Sequence, residues 1–285
     1  MIIDPDYLLN REFPTVTESY TEKDCILYAL GVGMGLDPLD EEALRFVYEE
    51  DLKVMPSQPV VMAHPGFWAS ENDIGLDWVK ILHLGQEMIF HKPLPASGSV
   101  KATTRFTEII DKGKRLGAQL NTERVVSDAD SGERLCTVIT SVLARGDGGF
   151  GGERKAKPKS DTIPGRDPDK LCDLATSPQQ ALIYRLSGDH NPLHVMPSIA
   201  RDAGFKAPIL HGLCTMGVMT HALLKTCCDY QPERFKHLRL RFSAPVYPGE
   251  TIRTEIWEEE NHIAFRCKSV EQDKVVINNG YLQID

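Results

Sequence analysis

The sequence has no Cys-x-x-Cys pair, no excess of basic residues and no apolar run near the roughly 18 residues of a membrane span. Each absence removes a class of protein. The seven cysteines are scattered at Cys25, Cys136, Cys172, Cys214, Cys227, Cys228 and Cys267, mostly inside apolar runs, where a free thiol behaves as a small hydrophobe. That excludes a secreted disulfide scaffold and favours a reducing compartment. Lys and Arg number 32 against 41 Asp and Glu, a net charge of −9, which argues against nucleic acid as a partner. A local basic groove for a phosphorylated small molecule stays open. Met1-Ile-Ile-Asp-Pro-Asp6 has acids where a secretion signal needs basic residues. Tyr281-Leu-Gln-Ile-Asp285 is not a peroxisomal tripeptide. The expectation is a soluble cytoplasmic protein, with the peroxisome as the alternative.

What is present is an ordinary globular composition, 41% hydrophobic and 26% charged over 285 residues, enough for one large domain or two moderate ones. Thr21-Glu-Lys-Asp24 starts a helix that Gly31-Val-Gly33 stops. A second helix is expected near Asp40–Glu50. Pro59 and Pro65 break any helix in the apolar stretch Pro56–Ser70. Strands are then expected at Ile81–Phe90, Ser99–Ile110, Arg115–Val126 and Arg134–Ala144, separated by Gly- and Asp-rich turns. The Gly-, Pro- and charge-rich stretch Gly146–Asp169 reads as a linker between an N-terminal unit (1–145) and a C-terminal unit (170–285). Beyond it come a helical patch at Pro178–Leu186, a loop at Ser187–His194 and a long helix from about Pro208 to Cys228. The last strands are expected at Leu238–Phe242, Thr251–Trp257, His262–Val270 and Val275–Leu282. The halves echo one another: Pro93-Leu-Pro95-Ala-Ser-Gly98 and Pro245-Val-Tyr-Pro248-Gly249 each lead into antiparallel strands, which points to duplication.

Several chemical patterns fail. Gly31-Val-Gly33-Met-Gly35 follows a helix and has Leu36 where a dinucleotide loop needs glycine. His190 and His194 have metal-ligand spacing, but Pro192 opposes the helix that would align them, so no metal is expected. The informative stretch is Tyr184-Arg-Leu-Ser-Gly-Asp189-His-Asn191-Pro-Leu-His194. Its turn brings Asp189 and His194 together, a pair able to hold one water for acid–base work near neutral pH. The bland alternative is that Asp189 caps a turn and His194 satisfies a backbone group. Ala207-Pro208-Ile-Leu-His211-Gly212 then leads into the long helix, where the Gly212 N–H would be a donor for a developing oxyanion.

The stretch from Tyr184 to Gly212, with Leu213-Cys214-Thr215, resembles the hydratase 2 motif of MaoC-like (R)-specific 2-enoyl-CoA hydratases. The likeness is to the two-repeat form found as the hydratase domain of peroxisomal multifunctional enzymes of type 2. Tyr28–Gly33, Phe46–Glu49, Lys92–Pro95, Asp111-Lys-Gly113, Gly148–Gly152 and Pro245–Gly249 extend it over nearly the whole chain. The resemblance implies an α+β double hotdog, each repeat wrapping an antiparallel sheet around a helix. It implies reversible hydration of trans-2-enoyl-CoA to (3R)-3-hydroxyacyl-CoA, no cofactor beyond the CoA of the substrate, and a homodimer. Asp189 and His194 match the catalytic dyad, with ionised Asp189 and protonated His194 the preferred state, and Glu49 matches a further acid. Asn191, Gly212, His83, Leu84, Lys112, His190, Pro192, Leu193 and Phe242 match substrate-binding positions. Leu84 stands where a glycine is common, and Met196 where an Asp is. The first repeat lacks the Asp-x(4)-His loop, so it is expected to house the acyl tail, in a tunnel left by its broken helix. A hotdog thioesterase and a non-catalytic acyl-CoA-binding module are the rival readings.

Overall fold

The computed structural model describes residues 3–71, 73–151 and 162–285. Ten strands form one antiparallel sheet: β1 (Val16–Tyr20), β2 (Ile81–Phe90), β3 (Gly98–Asp111), β4 (Ala118–Asp128), β5 (Arg134–Ala144), β6 (Lys170–Ala175), β7 (Phe235–Phe242), β8 (Thr251–Glu258), β9 (Ile263–Ser269) and β10 (Lys274–Ile284). Their spatial order is β1-β3-β4-β5-β2-β7-β10-β9-β8-β6. From either end inward the layout is the same: an edge strand, three meander strands, then a strand at the central seam. The two proline–glycine turns fall at equivalent places, between β2 and β3 and between β7 and β8. The duplication is therefore present in the topology. The halves meet where β2 pairs with β7, Gly85 opposite Arg241 through Ile89 opposite His237.

Alternation explains most strands. In β4 the inward positions Ala118, Leu120, Thr122, Arg124 and Val126 are buried and their neighbours half-buried. The edge strands β1 and β6 were not expected. β1 is exposed at Thr17, Glu18 and Ser19, and β6 buries only Cys172, so neither carries the period-two signal that sequence reading depends on.

The helices are α1 (Pro5–Asn10), α2 (Glu22–Gly31), α3 (Glu41–Leu44), α4 (Gln180–Tyr184), α5 (Pro197–Asp202) and α6 (Gly212–Cys227). In α2 the Asp24 carboxylate accepts the Thr21 backbone N–H at 2.8 Å, as the capping signal promised. The helix expected over Asp40–Glu50 is only α3. Past Leu44 the Phe46 and Val47 amides bond three residues back, and Lys53 N–H bonds Arg45 O at 2.8 Å, so the chain turns once Phe46 is buried.

α6 is the central helix of the second half, buried at every residue from Cys214 to Leu224, as a helix enclosed on all sides must be. It starts at Gly212, four residues later than expected. The Leu210 N–H donates to Val246 O at 2.7 Å and Ile209 O accepts from His194, so residues 209–210 spend their backbone groups outside the helix. At Gly217 a Cβ would collide with Val32, so glycine permits the close crossing just beyond α2.

Among the described residues the first half has no counterpart to α6. Its Pro59 and Pro65 region holds only short 3-10 turns, Gln58–Val60 and Trp68–Ser70. Arg124, projecting from β4 and 5% exposed, donates to the carbonyls of Val60 (2.5 Å), Met62 (2.6 Å) and Pro59 (3.4 Å). A buried cation thus takes carbonyls that a longer helix would have satisfied internally. The break was expected. Met55, Val60, Met62 and Ala63 are buried core there, and a cavity lined by Met55, Pro59, Phe90 and Phe235 measures about 60 Å³, while a more open one of about 550 Å³ is lined by Thr21, Glu22, Lys23, Ile26, Glu49 and Ser97.

Asp111 fastens the end of the first half. Its carboxylate accepts the N–H groups of Gly113 (2.7 Å), Gly149 (2.8 Å) and Gly151 (2.7 Å). A Cβ at Gly148 would meet the carbonyls of Gly113 and Gly117, so glycine is required at that position. Of the expected linker, residues 152–161 lie outside the described residues. At its far end the Trp257 indole donates to Arg166 O at 2.9 Å, and Arg166 pairs with Asp169 and Glu259. Among the described residues no helix is long and apolar enough to cross a membrane.

Candidate active site

After α4 a 3-10 turn, Arg185–Ser187, ends at Gly188, whose φ of 116° reverses the chain at the start of the Asp189–His194 loop. Asp189 Oδ1 accepts the Asn191 N–H at 3.2 Å, and Asn191 Oδ1 accepts the Leu193 N–H at 3.0 Å, capping the turn Pro192–His194. Both bland readings of the motif therefore hold: Asp189 does cap a turn, and His194 does satisfy a backbone group. They also prepare the chemistry. The His194 Nδ1–H donates to Ile209 O at 2.8 Å. A carbonyl can only accept, so the neutral ring carries its proton on Nδ1 and presents a lone pair at Nε2.

Burial lowers the His194 pKa, against the opposing pull of the Ile209 hydrogen bond and the Asp189 charge. Burial thus favours the neutral imidazole. Donor atoms of Asp189, His194 and His211 all lie within 4.8 Å of one another. Two hydrogen bonds of about 2.8 Å at a tetrahedral oxygen span roughly 4.6 Å, so groups this close are within reach of one shared water. The same three side chains are a poor metal site. An imidazole binds an ion in its ring plane, whereas His194 and His211 stack face to face, centroids 3.7 Å apart at 29°.

Gly212 is the first residue of α6, and His211 its N-cap. An N–H at this position has no intrahelical acceptor and lies at the positive end of the helix dipole. The later helix start thus improves the donor that the sequence suggested. A Cβ on Gly212 would sit 3.5 Å from the Phe242 ring, and the Phe242 ring meets His83 edge-on at 4.7 Å. His83 Nε2 lies 3.2 Å from Gly85 O and 3.1 Å from Gln86 Oε1, so Nε2 carries the proton. Burial takes the His83 pKa down to about 4. His83 and Phe242 come from β2 and β7, so the site straddles the seam between the halves.

The pairing of β2 with β5 shifts register between His83 and Gly85, leaving Leu84 unpaired in a bulge. A Cβ at Gly85 would approach Leu240 O at 2.8 Å. The glycine that this crossing needs is therefore present, one residue after Leu84. Lys112 follows β3 with its N–H on Gly117 O at 2.9 Å. Its loop abuts the Ala144 end of β5, and Ile81 at the start of β2 pairs with Ala144. Lys112 thus stands at the same end of the sheet as His83.

His190, Asn191 and Pro192 are exposed and Leu193 is half-buried. Glu49 is not brought to this group. It is exposed and lines a shallow cleft with Thr21, Glu22, Lys23, Ile26 and Ser97, at the N-terminal end of α2. The other end of that helix, Gly31, touches Tyr184 beside the catalytic loop.

Two histidines in this region carried no assigned role in the sequence. The His211 ring is buried against His194. His64, in the loop after the Arg124-held segment, has its pKa taken down to about 4 by burial and Arg124, with Asp189 opposing. The signal available for His211 was its place directly before the glycine donor; His64 had none.

Two family descriptions match the chain, MFE-2 hydratase 2 N-terminal domain over residues 19–146 and MaoC like domain over residues 159–280. With its duplicated sheet, this defines the class of double hotdog proteins. The chain belongs to the MaoC-like hydratase 2 family, in its two-repeat form. It is 37% identical to the enoyl-CoA hydratase ChsH3 of Mycobacterium tuberculosis, over 98% of each chain. It is 39% identical to the peroxisomal multifunctional enzyme type 2 of Mus musculus, over 97% of this chain but only 38% of that longer protein. The crystal structure of a MaoC-like dehydratase from Phytophthora capsici superposes with a TM-score of 0.86 at 35% identity, covering 98% of both chains.

Proposed function

We propose that this chain adds water reversibly to trans-2-enoyl-CoA, giving (3R)-3-hydroxyacyl-CoA. One observation carries the reading: an Asp189 carboxylate oxygen and a ring nitrogen of His194, whose Nδ1 is held by Ile209 O, lie within 4.8 Å of each other, beside the unpaired N–H that opens α6. The thioester oxygen accepts the Gly212 N–H, which polarises the conjugated alkene. A water held by Asp189 and His194 gives one proton to the pair as its oxygen bonds to C3. The π electrons move onto the thioester oxygen as an enolate. The enolate collapses and C2 takes the proton back from the pair. Both new bonds arise from one side, so the addition is syn. The Asn191 side-chain nitrogen, with no partner in the turn, faces substrate, and His83, Leu84, Phe242 and Lys112 border the acyl-CoA. The exposed Leu36, Leu39 and Tyr48 support a homodimer covering that segment; light scattering should give twice the chain mass, and a monomer would sink that part.

The purified protein should consume the conjugated absorbance of a trans-2-enoyl-CoA without releasing free thiol, and chiral analysis should find the (3R) product. Thiol release would favour the thioesterase reading, and saturable binding without turnover the binding module. The acid limb of kcat/KM reports His194. Activity needs the neutral ring and falls as pH drops through its lowered pKa. The half-maximal point should therefore lie below the ordinary histidine value of about 6.5.

A further inference from the structure

His211 takes no part in the addition described above, yet it touches every group that does. It is 1% exposed and caps α6 with an extended backbone, φ −59° and ψ 138°. Its ring has three neighbours. His211 Nε2 lies 3.3 Å from the backbone carbonyl of Asp189, so Nε2 carries the proton and donates. One face stacks on His194, and the Tyr184 ring lies 5.0 Å away. Its own carbonyl accepts the Thr215 N–H at 3.0 Å and the Thr215 hydroxyl at 3.2 Å, which clamps it to the first turn of the helix. The next peptide is the Gly212 donor.

We propose that His211 is a positioning residue of the hydratase centre: its Nε2–H sets the Asp189 carbonyl, its face sets the plane of His194, and both are referenced to the Gly212 N–H. The assignment rests on the hydratase reading. A second tie between the loop carrying the dyad and the helix carrying the oxyanion donor, the His194–Ile209 bond, reaches only the approach to the helix and not the helix itself. Positions within a few tenths of an ångström matter for proton transfer and oxyanion binding.

The ring must be neutral to do this. A cation stacked on His194 would oppose the proton that His194 receives. Burial and the neighbouring His194 hold the His211 pKa down to about 4, with Arg185 on the same side and Asp189 opposing. His194, Asp189, Arg185 and Tyr184 are the titratable groups facing it.

Two variants separate its two contacts. His211→Phe keeps a ring under His194 and loses the bond to Asp189; His211→Gln keeps a donor and loses the ring. In His211→Phe, kcat should fall about tenfold or more while KM stays within about threefold. In His211→Gln the His194 imidazole loses its cover. Its pKa, read by 15N NMR without substrate, and the acid limb of kcat/KM should both move up toward the ordinary histidine value. A role limited to stability would lower the melting temperature and move neither. Wild-type kcat in folded His211→Phe, or an unmoved His194 titration in folded His211→Gln, overturns the assignment. A wild-type protein inert toward enoyl-CoA defeats the hydratase reading instead, and the NMR titration still decides the role of His211.

Discussion

Asp189→Asn should fold normally and lose about a thousandfold or more in kcat, the upper range for removing an acid–base group. The asparagine oxygen can still accept the Asn191 N–H, so the turn that Asp189 Oδ1 caps is retained. What disappears is the charged acceptor for the water proton. The substitution also removes the negative charge that opposes burial at His194, His83, His64 and His211. Any residual activity should therefore show its acid limb at still lower pH. His194→Gln should fall into the same range, and the double variant should be little worse than either, because the two act on one water. Steady-state hydration of a short and a medium-chain enoyl-CoA, with a thermal melt beside it, checks this. Wild-type-like turnover by folded Asp189→Asn would exclude the mechanism.

Gly212→Pro should cost about a hundredfold to a thousandfold in kcat, the loss typical of one oxyanion donor. Proline is well suited to the first position of a helix, where it removes an N–H that has no intrahelical partner. Its predecessor must be extended, and His211 already is. The variant therefore deletes the donor with little disturbance of α6. Gly212→Ala is the control. It keeps the N–H, and its Cβ would meet Phe242 at an ordinary 3.5 Å, so its kcat should stay within about threefold of wild type. Equal activity in the proline and alanine variants would show that the thioester oxygen binds elsewhere.

The difference between a proline and an alanine at residue 212 is a question the sequence could frame but not answer. Pro208 and the apolar stripe after it placed the long helix correctly and its start wrongly. The deciding interactions, Leu210 with Val246 and Ile209 with His194, join residues 36 and 15 positions apart. The meander strands were legible because their buried positions alternate. The edge strands were not, because an edge buries too little to leave a pattern. Asp189 and His194 were legible because a turn joins them locally. The tautomer of His194 follows from a carbonyl on the approach to α6 and the lowering of its pKa from burial, and neither is written in the loop. The bulge that leaves Leu84 unpaired before Gly85 depends on pairing with β5 and leaves no local pattern. The hold on the broken segment could not be foreseen from two prolines, since Arg124 reaches it from β4.

The seam between β2 and β7 pairs only five residues of each strand, with the Glu87–His237 bond at 2.7 Å and the Phe90–Phe235 ring contact on its flanks. One buried core runs across it, and Gln180 and Cys214 both donate to the Gly31 carbonyl. Here Gly151 is anchored to Asp111 and the Arg166 carbonyl to Trp257, and the chain between them can span at most about 50 Å. The seam therefore closes as an intramolecular contact, at an effective concentration on the order of millimolar. A tether of that kind keeps His83 on β2 and Phe242 on β7 in their 4.7 Å approach whatever the protein's concentration.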